Sequence, residues 1–296
     1  MAANPSVAFD IGPLSWVKAE IEHSLNEVRT HLDKRAADAT DLKAVKYSVT
    51  HLHQVSGALS MVGLSAATRY NEEIERLVAT LDPNDGASAN NIASCIALIK
   101  KAMSVLSAYL DMLMAGEPDR PMMLTPLYLA MNKALSAQDA TESDLFLPDL
   151  TVTAPMPQET VAAPQSDMLA EIIKQRRAMY QAGLLKLLRD KDVQGGTREM
   201  RNATLAIEAL QITAPSRSFW FTAGGFFDAV ANNPVEAGGM TVSLFGKIDQ
   251  QIKQLIDGVH RVPEKLFRDL LLVIGKSTAQ TERIRKIRQL YRLDEL

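Results

Sequence analysis

The sequence predicts an all-α protein made of two helical-bundle domains joined by a linker. Three observations predict it. Apolar residues recur at three- and four-residue spacing over long stretches, and none alternates apolar and polar residues at a period of two. Aromatics make up 5% of the 296 residues while Leu, Ala and Met are plentiful, and unbranched side chains keep their rotamer freedom in helices. Residues 139–166 interrupt the pattern with Pro148, Pro155, Pro157 and Pro164, and hold five acidic and no basic residues. Such a stretch reads as an extended linker. The expected division is a bundle over 1–138, the linker, and a second helical domain over 167–296.

The first half reads as five helices. Leu14, Val17, Ile21, Leu25, Val28 and Leu32 form a stripe beginning after Pro13. Thr40 or Asp41 can cap a second helix through about Met61. A third, from Leu64 to about Leu81, has Tyr70, Ile74 and Leu77 in step, and Asp82-Pro-Asn-Asp-Gly86 is a turn. A fourth runs from about Ser88 to Met114, Gly116-Glu-Pro-Asp119 ends it, and a shorter fifth covers about Met122–Leu135. Short connections between amphipathic helices favour an antiparallel bundle. The start of the linker, Asp144 to Leu150, is apolar enough to lie along this bundle. The second half has helices at roughly 167–189, 196–211, 216–231, 240–258 and 263–274. The basic segment Thr281–Arg292 is expected to be helical, with a packing partner beyond the chain end.

Composition excludes several function classes. One cysteine, Cys95, permits no intrachain disulfide, which suits a reducing compartment, and its apolar surroundings make it a core residue. Residues 1–10 lack a basic stretch followed by an apolar core, so no signal peptide is expected. The longest run without charge, Tyr47–Thr68, carries two His, one Gln and many Ser/Thr, so no membrane insertion is expected and the location is cytoplasmic. Residues 167–296 hold 20 basic against 15 acidic residues, spread over several helices without stacked aromatics, so no nucleic-acid partner is expected. Gly195-Gly196 and Gly224-Gly225 follow no strand and lack the phosphate-loop lysine.

The chemistry concentrates in the second helix, His51-Leu-His53-Gln-Val-Ser-Gly57-Ala-Leu-Ser-Met-Val-Gly63. At about 100° per residue, Val45, Val49, Leu52, Ser56 and Leu59 share the core face. His53 sits at its edge, with Gly57 one turn further along and Lys46 two turns before on the same strip. Glycine one turn from an imidazole clears the approach for a partner, at a cost of about 1 kcal/mol against Ala within a helix. Imidazole is substantially neutral near pH 7 and can act as a nucleophile in phosphoryl transfer. It then needs orientation more than activation. His51 faces the opposite edge, and His23, His31 and His260 read as solvated helix residues. His51 and His53 cannot share a metal, because residues two apart on a helix diverge.

His53-x-x-x-Gly57 followed by Gly63 resembles the histidine phosphotransfer (Hpt) domains of two-component systems. The phrases Gly57-Ala-Leu-Ser-Met-Val-Gly-Leu64, Gly116-Glu-Pro-Asp119 and Glu142-Ser-Asp-Leu-Phe-Leu-Pro-Asp-Leu150 resemble the N-terminal part of the CheA-type hybrid kinases that control type IV pili and twitching motility. That resemblance implies a phosphoacceptor role for His53, an orienting role for Glu75, with Glu72 and Glu73 as rivals, partner access at Gly57 and a possible phosphate contact from Lys46. It implies a CheA-type kinase module and a response-regulator receiver domain as partners. No cofactor is expected in this chain, Mg²⁺ and ATP belonging to the partner modules. Many such domains carry Lys three residues after the histidine, where this chain has Ser56. The second domain looks like a decayed copy, with Trp220 in the histidine's place ahead of Gly224. Two rivals stand beside phosphotransfer. One is a helical scaffold that makes no use of His53. The other is an enzyme, which would need convergent titratable groups beyond His53 and the Glu72–Glu75 cluster.

Overall fold

The computed structural model describes residues 10–38, 40–83, 92–137, 139–154, 166–189, 192–232 and 239–295. It divides into two compact units, one ending at Leu147 and one spanning Pro148–Glu295. Among the described residues every regular element is a helix.

In the first unit α1 covers Ile11–Ala37, α2 Leu42–Met61, α3 Ser65–Ala79, α4 Ile92–Met114 and α5 Thr125–Ala134. Helix starts follow the local chemistry. Asp10 accepts from the Gly12 N–H at 3.0 Å, starting α1 ahead of Pro13. Of the two capping candidates before α2 it is Asp41 that accepts from the Ala44 N–H, at 3.1 Å. Gly63, with φ at +81°, ends α2 in the left-handed conformation that a side chain resists, and the chain reverses directly into α3. The helices close a ring: α1 packs on α2 and α4, and α3 on α2 and α4. Leu14, Leu25, Leu32, Leu52, Leu59, Tyr70, Ile74, Ile99, Met103, Leu106 and Leu110 meet in the core. α4 is long and apolar enough to cross a membrane by length and composition. Its Ile96, Ile99, Met103, Leu106, Leu110 and Leu113 are buried in this core, while Lys101 and Asp111 lie on its exposed side. Cys95 is half-buried against the same core, and burial pushes its thiol up. The predicted start of this helix near Ser88 lies outside the described residues.

The apolar start of the linker does pack on this unit. Leu145 and Phe146 are buried, Arg69 donates to the Asp144 carbonyl at 3.0 Å, and a capping box at Thr141 and Asp144 fixes the turn before them.

In the second unit α6 covers Ser166–Leu188, α7 Val193–Ala209, α8 Ala214–Asn232, α9 Gly239–Ile256, α10 Glu264–Lys276 and α11 Glu282–Tyr291. α8 is central, packed on α7, α10 and α11. Its Phe226 and Phe227 form an aromatic cluster with Tyr180 of α6 and Phe245 of α9. One expectation is corrected here. The basic segment after Thr281 finds its packing partner inside the chain, on α8, burying Ile284, Ile287 and Tyr291. Its Arg283 bonds Glu208 at 2.6 Å and the Phe221 carbonyl at 3.0 Å. The basic composition hid a narrow apolar stripe with a three- to four-residue period, which is all that a ten-residue helix needs to dock.

Candidate functional site

α2 and α3 run side by side, and their facing residues build the candidate site. The core face of α2 buries Val45, Ser48, Leu52, Val55, Ser56 and Leu59. That orientation turns the opposite strip outward: Lys46, Thr50, His53, Gly57 and Ser60 are all exposed. Met61 extends the strip with a thioether 80% exposed. The His53 side chain is 81% exposed, and its Nδ1 lies 3.4 Å from Oε1 of Glu75 on α3. This separation is long for a hydrogen bond and close enough to tighten by a small side-chain rotation. The contact leaves Nε2 of the ring as the nitrogen available to an approaching group. A Cβ built on Gly57 would meet nothing within 4 Å, so the surface beside His53 is open.

Beneath the histidine the two helices are tied by Asn71, whose amide donates to the Leu52 carbonyl at 2.7 Å and to Ser56 Oγ at 2.9 Å. Asn71 is fully buried. No sequence pattern marks this residue's position, because a buried polar bridge depends on the register between two helices. Ser56 is thereby buried in the α2–α3 joint, so the side chain at this position serves packing rather than the exposed strip.

The three glutamates of α3 separate cleanly. Glu72 is exposed and Glu75 faces His53. Glu73 is buried, pairs with Arg76 at 2.8 Å and has its carboxyl pushed up by burial, an effect Arg76 opposes and Asp144 reinforces. Lys46 is exposed but two turns from His53, roughly 10 Å along the helix axis.

The expectation that His31 is a solvated helix residue is corrected, while His51 does lie on the opposite edge of α2. His31 on α1 is half-buried, stacked on Tyr47 with ring centres 5.3 Å apart and on His51 at 6.2 Å. Across from His53, therefore, α2 presents a second polar cluster to α1.

In the second unit Trp220, expected in the histidine's place of a decayed copy, lies 1% exposed within the core, edge-on to Phe219. Gly224 and Gly225 do not open a surface here. A Cβ on Gly225 would lie 2.3 Å from Ile287 Cδ1 and one on Gly224 would lie 2.9 Å from Leu205 Cδ2, so they seat neighbouring helices closely. A groove of about 530 Å³ between α7 and α8 is lined by Thr197, Arg198, Arg201, Asn202 and apolar side chains, without a carboxylate or thiol that would make an acid–base or nucleophilic pair.

Residues 165–296 match a family model described as the second domain of the FimL scaffold protein. Across 285 residues, 96% of this chain, the sequence is 26% identical to the scaffold protein FimL of Pseudomonas aeruginosa, and the alignment covers 50% of that protein. The chain thus spans about half the length of the curated relative it matches. No solved structure matches. Over nearly all of its described helices, then, this chain is similar to a protein named for scaffolding rather than for catalysis.

Proposed function

We propose that this chain is a helical scaffold of a chemosensory signalling system, and that the exposed strip of α2 centred on His53 is where a signalling module docks. The similarity to a scaffold protein along 96% of the chain carries this reading. The geometry agrees with it. The strip has a glycine-cleared approach, an exposed imidazole, a lysine and a thioether. The partners that fit are a response-regulator receiver domain and a CheA-type kinase module, whose acidic active sites complement an imidazole and a lysine.

A second reading is favoured by one specific observation, the His53–Glu75 contact at 3.4 Å on a side chain that is 81% exposed. A docking residue needs no orienting carboxylate, whereas a phosphoacceptor does. In this reading Glu75 accepts from Nδ1–H, Nε2 attacks the transferring phosphoryl group, and the leaving oxygen stays with the donor. Phosphate then passes to a receiver aspartate, with Mg²⁺ supplied by the partner's site.

One experiment separates the two. The chain and its His53→Gln variant are mixed with ATP labelled in the γ-phosphate and a CheA-type catalytic module, and binding to a receiver domain is measured in parallel. Scaffolding alone predicts no label on either protein and binding that survives the substitution. Acid-labile, base-stable label on the wild type alone would replace the scaffold reading with phosphotransfer. Equal label on both would rule out His53 as the acceptor.

A further inference from the structure

Opposite the His53 strip, α1 and α2 bring three metal-ligating side chains together. Glu27 and His31 are four residues apart on α1 and so share one face of that helix. His51 reaches them from α2. A carboxylate oxygen of Glu27 and a ring nitrogen of each histidine lie within 4.8 Å of one another, and all three residues are half-buried. Nδ1 of His51 is buried and has no hydrogen-bond partner among the described residues. A polar atom in that state is the exception in folded proteins and calls for a reason.

We propose that Glu27, His31 and His51 form a Zn²⁺ site that clamps α1 to α2. Two imidazoles and one carboxylate suit a borderline-soft divalent ion, and three protein ligands leave a fourth position for water. The distances are consistent with this. A tetrahedral shell with Zn–N near 2.0–2.1 Å puts its donors roughly 3.3 Å apart, so modest χ rotations draw the three groups from within 4.8 Å to that spacing. The imidazoles now stack at 22° with centres 6.2 Å apart, and binding turns one nitrogen of each toward a common centre. The ring of Tyr47 lies over His31 and limits its other motions. His53 takes no part, since residues 51 and 53 point to nearly opposite sides of α2.

The test is calorimetric titration of the full chain with Zn²⁺ in a non-chelating buffer, repeated with Glu27→Gln, His51→Gln and, as a control, His53→Gln. The wild type and H53Q should bind one ion per chain, while E27Q and H51Q bind tenfold or more weakly, and Zn²⁺ should raise Tm in the first pair alone. Far-UV circular dichroism checks that each variant is folded. E27Q replaces a half-buried carboxylate by its near-isostere and keeps the test valid if H51Q unfolds. Co²⁺ in place of Zn²⁺ should give the visible bands of a tetrahedral site, and these should be lost in E27Q. The proposal is overturned if no saturable binding occurs, or if E27Q binds as tightly as the wild type. The latter would mean that Glu27 is no ligand and that any bound ion is held by another set of groups.

Discussion

Three glutamates within four positions of α3 meet three different environments, and the consequences belong to single residues. Glu72 is solvated, Glu75 stands beside an exposed imidazole, and Glu73 is buried next to a half-exposed arginine. Burial, the largest effect on Glu73, raises its carboxyl above the ordinary value, and Asp144 and Glu72 push the same way against Arg76. The folded protein therefore holds this proton more tightly than the unfolded chain. By linkage, stability associated with Glu73 is greatest at low pH and is lost as pH rises through the raised value. Glu73→Gln removes that loss. Because Arg76 is largely exposed, it keeps solvation when its partner goes. Tm of Glu73→Gln should exceed that of the wild type by about 1–4 °C at pH 7, and the gap should close near pH 4. Thermal melts at the two values check this, and a gap that widens on acidification would reverse the assignment. Residues of this kind also mark the limit of legibility. The candidacy of His53 and Glu75 came from spacing and resemblance within one chain segment. That Glu73 turns inward, that Asn71 bridges to Ser56 and that His31 meets His51 depend on how one helix is rotated against another. A one-dimensional pattern does not encode that rotation.

At the scale of elements the sequence was far more explicit. Apolar periodicity placed ten of the helices, with described ends within a few residues of expectation, because each helix must present one stripe to a core, and the basic segment after Thr281 forms a further one. What it could not separate was the two uses of glycine. Gly57 and Gly196 both lie within helices, and composition does not say what either one faces. A Cβ on Gly57 meets nothing within 4 Å, whereas one on Gly196 would lie 2.5 Å from the carbonyl oxygen of Gly183, and Gly183 is matched in turn against Gly196 at 2.6 Å. The second pair lets the backbones of α6 and α7 approach closely, and backbone cannot yield as a side-chain tip can. Opposite outcomes follow for one substitution. Gly57→Ala should stabilise the chain by about 0.5–1 kcal/mol through helix propensity. Gly196→Ala should destabilise it by about 1–3 kcal/mol or more through overpacking. Urea unfolding followed by far-UV circular dichroism measures both. If Gly57→Ala also weakens receiver binding while it stabilises the fold, glycine is kept there for access rather than for packing.

For the whole molecule, the question is where the first folding unit ends. Composition alone puts the break at the proline-bearing acidic stretch beginning with residue 139, since acidic, proline-bearing segments seldom fold. The compact unit runs on to Leu147. The end of the intervening stretch packs on its core: Leu145 is fully buried, Phe146 is nearly so, and Arg69 of α3 is bonded to the Asp144 backbone. Asp144 also stands near Glu73 and Tyr128, whose phenol is pushed up to about 12, first by burial and then by that carboxylate. The apolar start of the linker thus braces α3, the helix that carries Glu75 to His53. Burying a Leu and a Phe side chain stabilises by roughly 1.5–3 kcal/mol each. A fragment of residues 1–138 should accordingly melt at least several degrees below one of residues 1–147, at about 2–4 °C per kcal/mol for a domain near 150 residues. Leu145→Ala with Phe146→Ala in the longer fragment should reproduce most of that drop. If both fragments melt together, the segment merely lies on the surface of the bundle. If the longer one gains stability, any test of His53 on an isolated unit has to include residues 139–147, because the carboxylate that faces the imidazole sits on the helix this segment holds in place.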